Sequence, residues 1–575
     1  MNALGNSEGA VSTRRIALFL VSVLAAATLI GRSASAQTTQ AESQKTTISG
    51  VVINAVTRAP IPRALVTTPD NRHATFTDSS GQFEFDMGKE STDTPGGPGE
   101  LIRVAGSGQD RTWINARKPG FVVEGRDGVL AFPGKEVTIA LTPEALIVGR
   151  VSFSTSDTTS RVPVQLFWRQ TQDGLPRWTT RGTTQTNSAG EFRFADLHPG
   201  QYRIATSESL DNDPGTMLSR NQVYGFPPLY YPNATDFASA GTIEVAAGQT
   251  VQADLSLVRQ AYYNVRIPVN GDTGVGLNII VSSQGHRGPG YSLGFNAGQH
   301  RIDGLLPNGS YVVDAISYGE SASSGTTTLR VAGGPAEGQA MTVVPNGGIA
   351  LNVKEELHDT QWSGSGSFVV HGQTFAMHGP RLYLSADLQP ADDFGQGVPM
   401  SIRPPTGPND DSMVLTNVPP GRYWLRLNSG RGYVASATMG AVDLLHQPLI
   451  VSAGSAVSVD VTLRDEYSSV EGKVTGWNPD SMKPDDPDSE TVWIYFVPLP
   501  DAPGQFQQLG VTANDNFNLQ QIVPGSYRVL AFAHQQQNLP YRDPQAMKTY
   551  ETKGQVLTLS PGQKANLQLP IIPEE

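Results

Sequence analysis

Apolar and polar residues alternate along most of this chain. In "GEFRFADLHPGQYRI" (190–204), Phe192 and Phe194 share one side of an extended segment, and after a Pro-Gly corner Tyr202 and Ile204 do the same. The pattern returns at 515–529, where Phe517 and Leu519 precede the corner and Tyr527 and Val529 follow it. Weaker copies read "LLPNGSYVV" (305–313) and "NVPPGRYWL" (417–425). A period of two is that of a half-buried strand, so each copy predicts two strands joined at a tight corner. Proline presets the turn's φ, and glycine is expected to supply a positive φ there. Tyr202, Tyr311, Tyr423 and Tyr527 are therefore predicted as structural corner residues with their rings in a core.

These tyrosines recur about every 100 residues, the length of one β-sandwich domain and too long for a solenoid repeat. Each corner is followed by a strand, a glycine turn and a second strand: "GTIEVAAGQTVQADLSLV" (241–258), "PLIVSAGSAVSVDVTL" (448–463) and "GQVLTLSPGQKANLQLP" (554–570). "GVLAFPGKEVTIALT" (128–142) is a shorter version. New domains open on Gly-x-Val strands at Gly50, Gly149 and Gly472. The expectation is an all-β chain, a tandem array of about five transthyretin-like or Ig-like β-sandwiches. They are placed at 46–143, 144–260, 261–357, 358–464 and 465–575, after a signal peptide at 1–36. Helical periodicity is confined to that first segment and to "GAVDLLHQ" (440–447). Linkers are too short for floppy tethers, which predicts a stiff string.

The first domain reads "ISGVVINAVTRAPIPRALVTT", then "TFTDSSGQFEF", then "INARKPGFVV". This order of a Gly-x-Val strand, a Pro-Ile-Pro segment, Thr-Asp-x-x-Gly-x-Phe and Pro-Gly-Phe resembles the carboxypeptidase regulatory-like domain. "TNSAGEFRFADLHPGQYRI" in the second domain is similar. The resemblance implies a transthyretin-like sandwich, grouped with carbohydrate-binding-like folds, and an accessory role without a peptidase domain.

Arg14 and Arg15 precede the apolar run 16–30, and Ala34-x-Ala36 follows, which are the parts of a secretory signal peptide cleaved after Ala36. The protein is accordingly expected to be exported and to work in the periplasm, at the cell surface or outside the cell. No later apolar run reaches the roughly 18 residues of a spanning helix, so no transmembrane segment is expected in the mature chain. There are no cysteines, so each domain depends on its own core. Acidic residues exceed basic ones by 53 to 41, a net charge of −12, and no basic run interleaves with aromatics; this excludes nucleic acid as a partner.

Signals for catalysis are poor. "GYSLG" (290–294) matches a nucleophile pattern that needs a strand before Ser292 and a helix after it, but its glycine-rich flanks favour no helix. The histidines are scattered, with no zinc-ligand spacing, and the acidic loops around Asp410 and Asp485, Asp486 and Asp488 lack a calcium-site pattern. The reading is that the chain is not an enzyme, with no catalytic residues, no metal site and no cofactor. Aromatic loops are the remaining lead. "YGFPPLYYPNATDF" (224–237) gathers five rings, and Tyr230 and Tyr231 are weak candidates for stacking on a sugar face; the alternative, which is favoured, is that the rings cover the end of the second sandwich. The function expected is non-catalytic recognition outside the cytoplasm, with carbohydrate the favoured ligand. The alternative is a structural stalk or protein-interaction scaffold of the envelope. Partners are thus a polysaccharide or envelope proteins, and the sequence carries no signal for an oligomeric state.

Overall fold

Strands account for 61% of the structure and helix for 3%, so the chain is all-β. The structure is a computed structural model describing residues 47–573, apart from 88–101, 104–109, 124–127, 155–160, 212–221, 318–321, 393–399, 477–490 and a few shorter gaps. The expected signal peptide 1–36 and the acidic run Asp485, Asp486 and Asp488 lie outside the described residues.

One strand plan occurs five times. An opening strand lies between an antiparallel neighbour, which in the second to fifth sandwiches leads into the corner, and a parallel neighbour that closes the domain. The opening strands are Thr47–Asn54, Ala145–Phe153, Gln260–Asn270, Gly347–Glu356 and Ser468–Thr475. Their antiparallel neighbours are Gln82–Asp86, Glu191–Leu197, Arg301–Pro307, Met413–Val418 and Asn516–Ile522. Their parallel neighbours include Glu136–Pro143, Leu255–Leu257, Met341–Thr342, Ala456–Arg464 and Lys564–Pro570. A parallel pair needs a long crossover. Here the crossover is the rest of the domain, whose second sheet covers the inner face. In the second sandwich that sheet runs Leu175–Gln185, Pro163–Gln172, Gly200–Thr206, Ile243–Val245.

The opening glycine has a steric cause. Gly50, Gly149 and Gly472 stand in register with Phe83, Phe192 and Phe517 on the antiparallel neighbour. A Cβ at these positions would lie 2.0, 2.1 and 2.0 Å from the carbonyl oxygens of Val137, Ala253 and Leu567. It would also reach within 2.9, 2.6 and 2.5 Å of the phenylalanine rings. Glycine is what lets the ring lie across the opening strand.

Each sandwich buries its own apolar cluster, centred on Ile48 and Ile139, Ile147 and Tyr202, Ile267 and Tyr311, Ile349 and Tyr423, and Val470 and Tyr527. Every large aliphatic or aromatic side chain so buried contributes about 1.5–3 kcal/mol.

Three expectations need correction. The boundary near 358 moves upstream, because Gly347–Glu356 pairs along its whole length with Ala456–Arg464 and antiparallel with Met413–Val418. It opens the fourth sandwich instead of closing the third. The segment 440–447 is not helical: Val442–Asp443 pairs with Thr438 and Met439, and the Asp443 carboxylate then turns the chain by accepting from the Leu445 N–H. The string is also more than a string. Junctions are short, with Pro143 and Ala145 ending and opening consecutive domains and Pro345 and Gly347 doing so later. Yet Thr46–Glu575 is one compact unit, and domains distant in sequence meet. The Asp173 carboxylate at a hairpin tip of the second sandwich accepts from the Tyr541 hydroxyl of the fifth. It also faces Arg426 of the fourth at 3.3 Å and Arg542 of the fifth at 3.4 Å. The second and third sandwiches share a sheet, since Val223–Phe226, from an insertion in the second, pairs with the third's opening strand.

Candidate functional site

The four corner tyrosines do one job. Each hydroxyl donates to the carbonyl four residues upstream: Tyr202 to His198 at 2.7 Å, Tyr311 to Pro307 at 2.9 Å, Tyr423 to Pro419 at 2.9 Å and Tyr527 to Val523 at 2.6 Å. Their rings are buried, at most 6% exposed. Burial pushes the Tyr202 and Tyr527 hydroxyls up to about 12, so they remain donors at any physiological pH. The turn chemistry differs from the proline–glycine expectation. The left-handed residue is Asp196 (φ 54°), Asn417 (φ 59°) or Gln521 (φ 61°), just before the corner. Of the four corner glycines only Gly200 has a positive φ. At Gly309 and Gly421 the requirement is space: a Cβ would meet the ring of the tyrosine two residues on, at 3.0 and 3.1 Å.

The aromatic segment 224–237 is not an open platform. Tyr230 and Tyr231 point to opposite sides, as neighbours in an extended chain must, and both sides are covered. Tyr230 is 4% exposed in a small second core with Phe167, Trp178, Phe237 and Ala240. Tyr231 packs half-buried on the main core of the second sandwich. Phe226 meets Phe153 edge-on at 4.7 Å, and Arg259 lies 4.1 Å over Tyr224. Of the two readings of Tyr230 and Tyr231, this burial supports packing, the rings capping the sandwich end.

Ser292 sits between the strands His286–Tyr291 and Leu293–Asn296, and no helix follows it directly. The strand-to-helix elbow needed to raise a nucleophile is not formed. Its backbone N–H instead donates to the Glu208 carboxylate at 3.2 Å, while the Glu208 N–H donates to the Gly290 carbonyl at 3.3 Å. Glu208 thus pins the crossing from the second sandwich onto the third. Burial pushes its carboxyl up to about 7, among Tyr262, Tyr291 and Tyr311. Asp410 organises its loop, accepting from Arg403 at 2.6 Å and from the Thr406 N–H and hydroxyl at 2.9 and 2.8 Å. The Arg403 bond in particular holds its carboxyl far below the usual carboxylate range. Among the described residues no three metal-ligating side chains converge.

Two open clefts among the described residues bear on function. One, of about 850 Å³, lies on the second sandwich around Arg150, Asn187, Glu191 and Asp254. Its polar groups satisfy each other: Arg150 pairs with Glu191 at 3.3 Å, Asn187 donates to Glu191 at 3.0 Å, and Gln252 donates to Asp254 at 2.6 Å. The other, of about 860 Å³, lies between the first and second sandwiches. Its first wall is the Lys118-Pro119-Gly120-Phe121 turn with Arg63 and Phe76. Its second is Arg181 with the corner residues Asp196 and His198. Phe76 is 66% exposed, unusual for a phenylalanine. His198 stacks on Trp168 with ring centres 5.6 Å apart. Sequence reasoning missed this cleft, since its residues come from five separate stretches, each ordinary by itself.

No known family profile and no curated protein sequence matches the chain. Among solved structures it is similar to the Bacillus anthracis TIE protein, at 7% identity over 74% of each chain and a TM-score of 0.15. It is similar to two B repeat units of the Staphylococcus aureus collagen binding protein, at 9% identity over 68% of this chain and 93% of that one, TM-score 0.13. The major pilin subunit BcpA of Bacillus cereus aligns at 9% identity over 56% of this chain and 99% of that one, TM-score 0.13. Superpositions this loose carry no argument about function. The tandem β-sandwich architecture rests on the strand pairing itself, and no comparison supports the carboxypeptidase regulatory-like family in particular.

Proposed function

We propose that this chain is an exported, non-catalytic recognition protein with carbohydrate as its ligand, its sandwiches holding a binding cleft in fixed geometry. The observation that supports this best is the open cleft between the first and second sandwiches, where an exposed Phe76 ring lies among side-chain donors. A sugar offers an apolar C–H face to such a ring and hydroxyls to the donors around it. The repeated motif residues are spent on corners and close strand approach, which leaves function to the junctions.

A second reading, a structural scaffold of the envelope, is favoured by one observation of its own. The Asp173 contacts tie the second, fourth and fifth sandwiches together, which suits a spacer that must resist bending. A glycan array probed with residues 37–575 separates the two. Binding to a defined set of glycans supports recognition. An array without signal, together with stoichiometric capture of envelope proteins from the native envelope, replaces it with the scaffold.

A further inference from the structure

The cleft between the first and second sandwiches is basic on an acidic protein. Arg63, Arg117, Lys118 and Arg181 line it against one carboxylate, Asp196, although the whole chain carries a net charge of −12. Lys118 is committed to structure: its ammonium donates to the Pro62 and Arg63 carbonyls at 2.9 and 3.3 Å and fixes the loop that carries Arg63. The three arginines are different. Among the described residues, Arg63, Arg117 and Arg181 have no carboxylate within ion-pair distance, whereas Arg150, Arg259, Arg301, Arg403 and Arg464 all do. Arg181 is held by packing, its guanidinium 5.5 Å over the Trp168 ring.

Gathering like charges without counter-charges is unfavourable in the free protein, and an anionic ligand relieves it. A guanidinium fork matches a carboxylate in two parallel hydrogen bonds, which a lysine point charge does not. The exposed Phe76 and half-buried Phe121 add what a simple anion would not use, a flat apolar surface beside the cations. A uronic acid carries both complements on one ring, a carboxylate at its edge and C–H groups on its face. An acidic peptide offers the charge without the ring face. Deepening the recognition reading above, on which this rests, we propose that the cleft binds an anionic, uronate-type polysaccharide. Its carboxylates sit on Arg63, Arg117 and Arg181 and a sugar face lies on Phe76. The cleft is built by the Pro-Gly-Phe turn of the first domain and the Asp-Leu-His-Pro-Gly corner of the second, so in this one place the repeated corner also faces a ligand.

The test is isothermal titration of residues 37–575 at low ionic strength with oligogalacturonate, an uncharged malto-oligosaccharide and poly-L-glutamate. Oligogalacturonate should bind, and added salt should weaken it. The double variant Arg63→Ala/Arg117→Ala should lose affinity about tenfold or more, and Phe76→Ala several-fold, with melting unchanged because all three side chains are exposed. Absence of oligogalacturonate binding, or binding that survives these substitutions, overturns the proposal. Poly-L-glutamate binding equally well and equally sensitive to Phe76→Ala also overturns it, in favour of an acidic peptide. Binding of neutral glycans alone leaves the recognition reading standing and removes this one; binding of no glycan on any array removes both.

Discussion

Replacing Tyr527 by phenylalanine should cost the fifth sandwich roughly 2–4 kcal/mol, although ring and core volume stay the same. The hydroxyl donates to the Val523 carbonyl at 2.6 Å and accepts from the Gln505 N–H at 3.2 Å, and Tyr527 is fully buried. Phenylalanine leaves both backbone groups without a partner. An orphaned buried polar group costs about 1–3 kcal/mol, the half-covered Gln505 N–H falling at the low end. Tyr527→Ala should cost more, because deleting a large buried aromatic adds about 3–5 kcal/mol of lost transfer and cavity energy. It also removes the edge contact with Phe496, whose ring centre lies 5.6 Å away. Global unfolding of a multidomain chain is not two-state, so the assay is native-state hydrogen exchange read by mass spectrometry on peptides covering Asn516–Ile522 and Gly525–Phe532. Their opening free energy should fall by the stated amounts while the first sandwich is unchanged. A loss below about 0.5 kcal/mol for Tyr527→Phe would mean that the hydroxyl bonds do not hold the corner and that the repeat encodes only a hydrophobic ring.

Three further outcomes follow from the same structure. Gly149→Ala should destabilise the second sandwich by about 3 kcal/mol or more, since its Cβ would lie 2.1 Å from the Ala253 oxygen; local hydrogen exchange of Ala145–Phe153 reads it. Glu208, pushed up to about 7 from its ordinary 4.5, binds more protons folded than unfolded between those values. Stability of the junction between the second and third sandwiches should therefore fall as pH rises from about 4.5 to 7, by at most about 3 kcal/mol given its partial exposure, and Glu208→Gln should flatten that slope in pH-dependent denaturant melts. Asp173→Ala should release the hairpin tip from Tyr541, Arg426 and Arg542, seen as faster exchange around Tyr541 and a larger radius of gyration in solution scattering.

Period-two alternation and turn chemistry are local, and they are what made the sandwich legible. The opening Gly50, Gly149 and Gly472 and the corner tyrosines could be picked out because three units repeat the first and four the second with little change. The strand Gly347–Glu356 was misplaced for a physical reason. The third sandwich closes on the two-residue strands Met341–Thr342 and Val344–Pro345, so the next long alternating run after Ser323–Val331 belongs to the following domain. For Tyr230 and Tyr231 the sequence left stacking on a sugar and packing over the sandwich end both open, because what would receive the rings, Phe167 and Trp178 on a neighbouring hairpin, lies far away along the chain. The Asp173 contacts and the basic cleft left no trace in the sequence, since both join residues far apart along the chain. Arg63 and Arg181 become neighbours only when the first two sandwiches dock.

The repeated motifs build architecture, and recognition is proposed where the first two sandwiches meet. Hydrogen exchange of residues 37–575, alone and with oligogalacturonate, tests both halves together. Without ligand, the slowest amides should fall in the five opening strands, Gly347–Glu356 exchanging with the fourth sandwich. With ligand, exchange should slow around 63–67, 74–77, 117–123 and 181–198 and nowhere else. Slowing at 224–237 or around Ser292, or no slowing at saturating ligand, would contradict it.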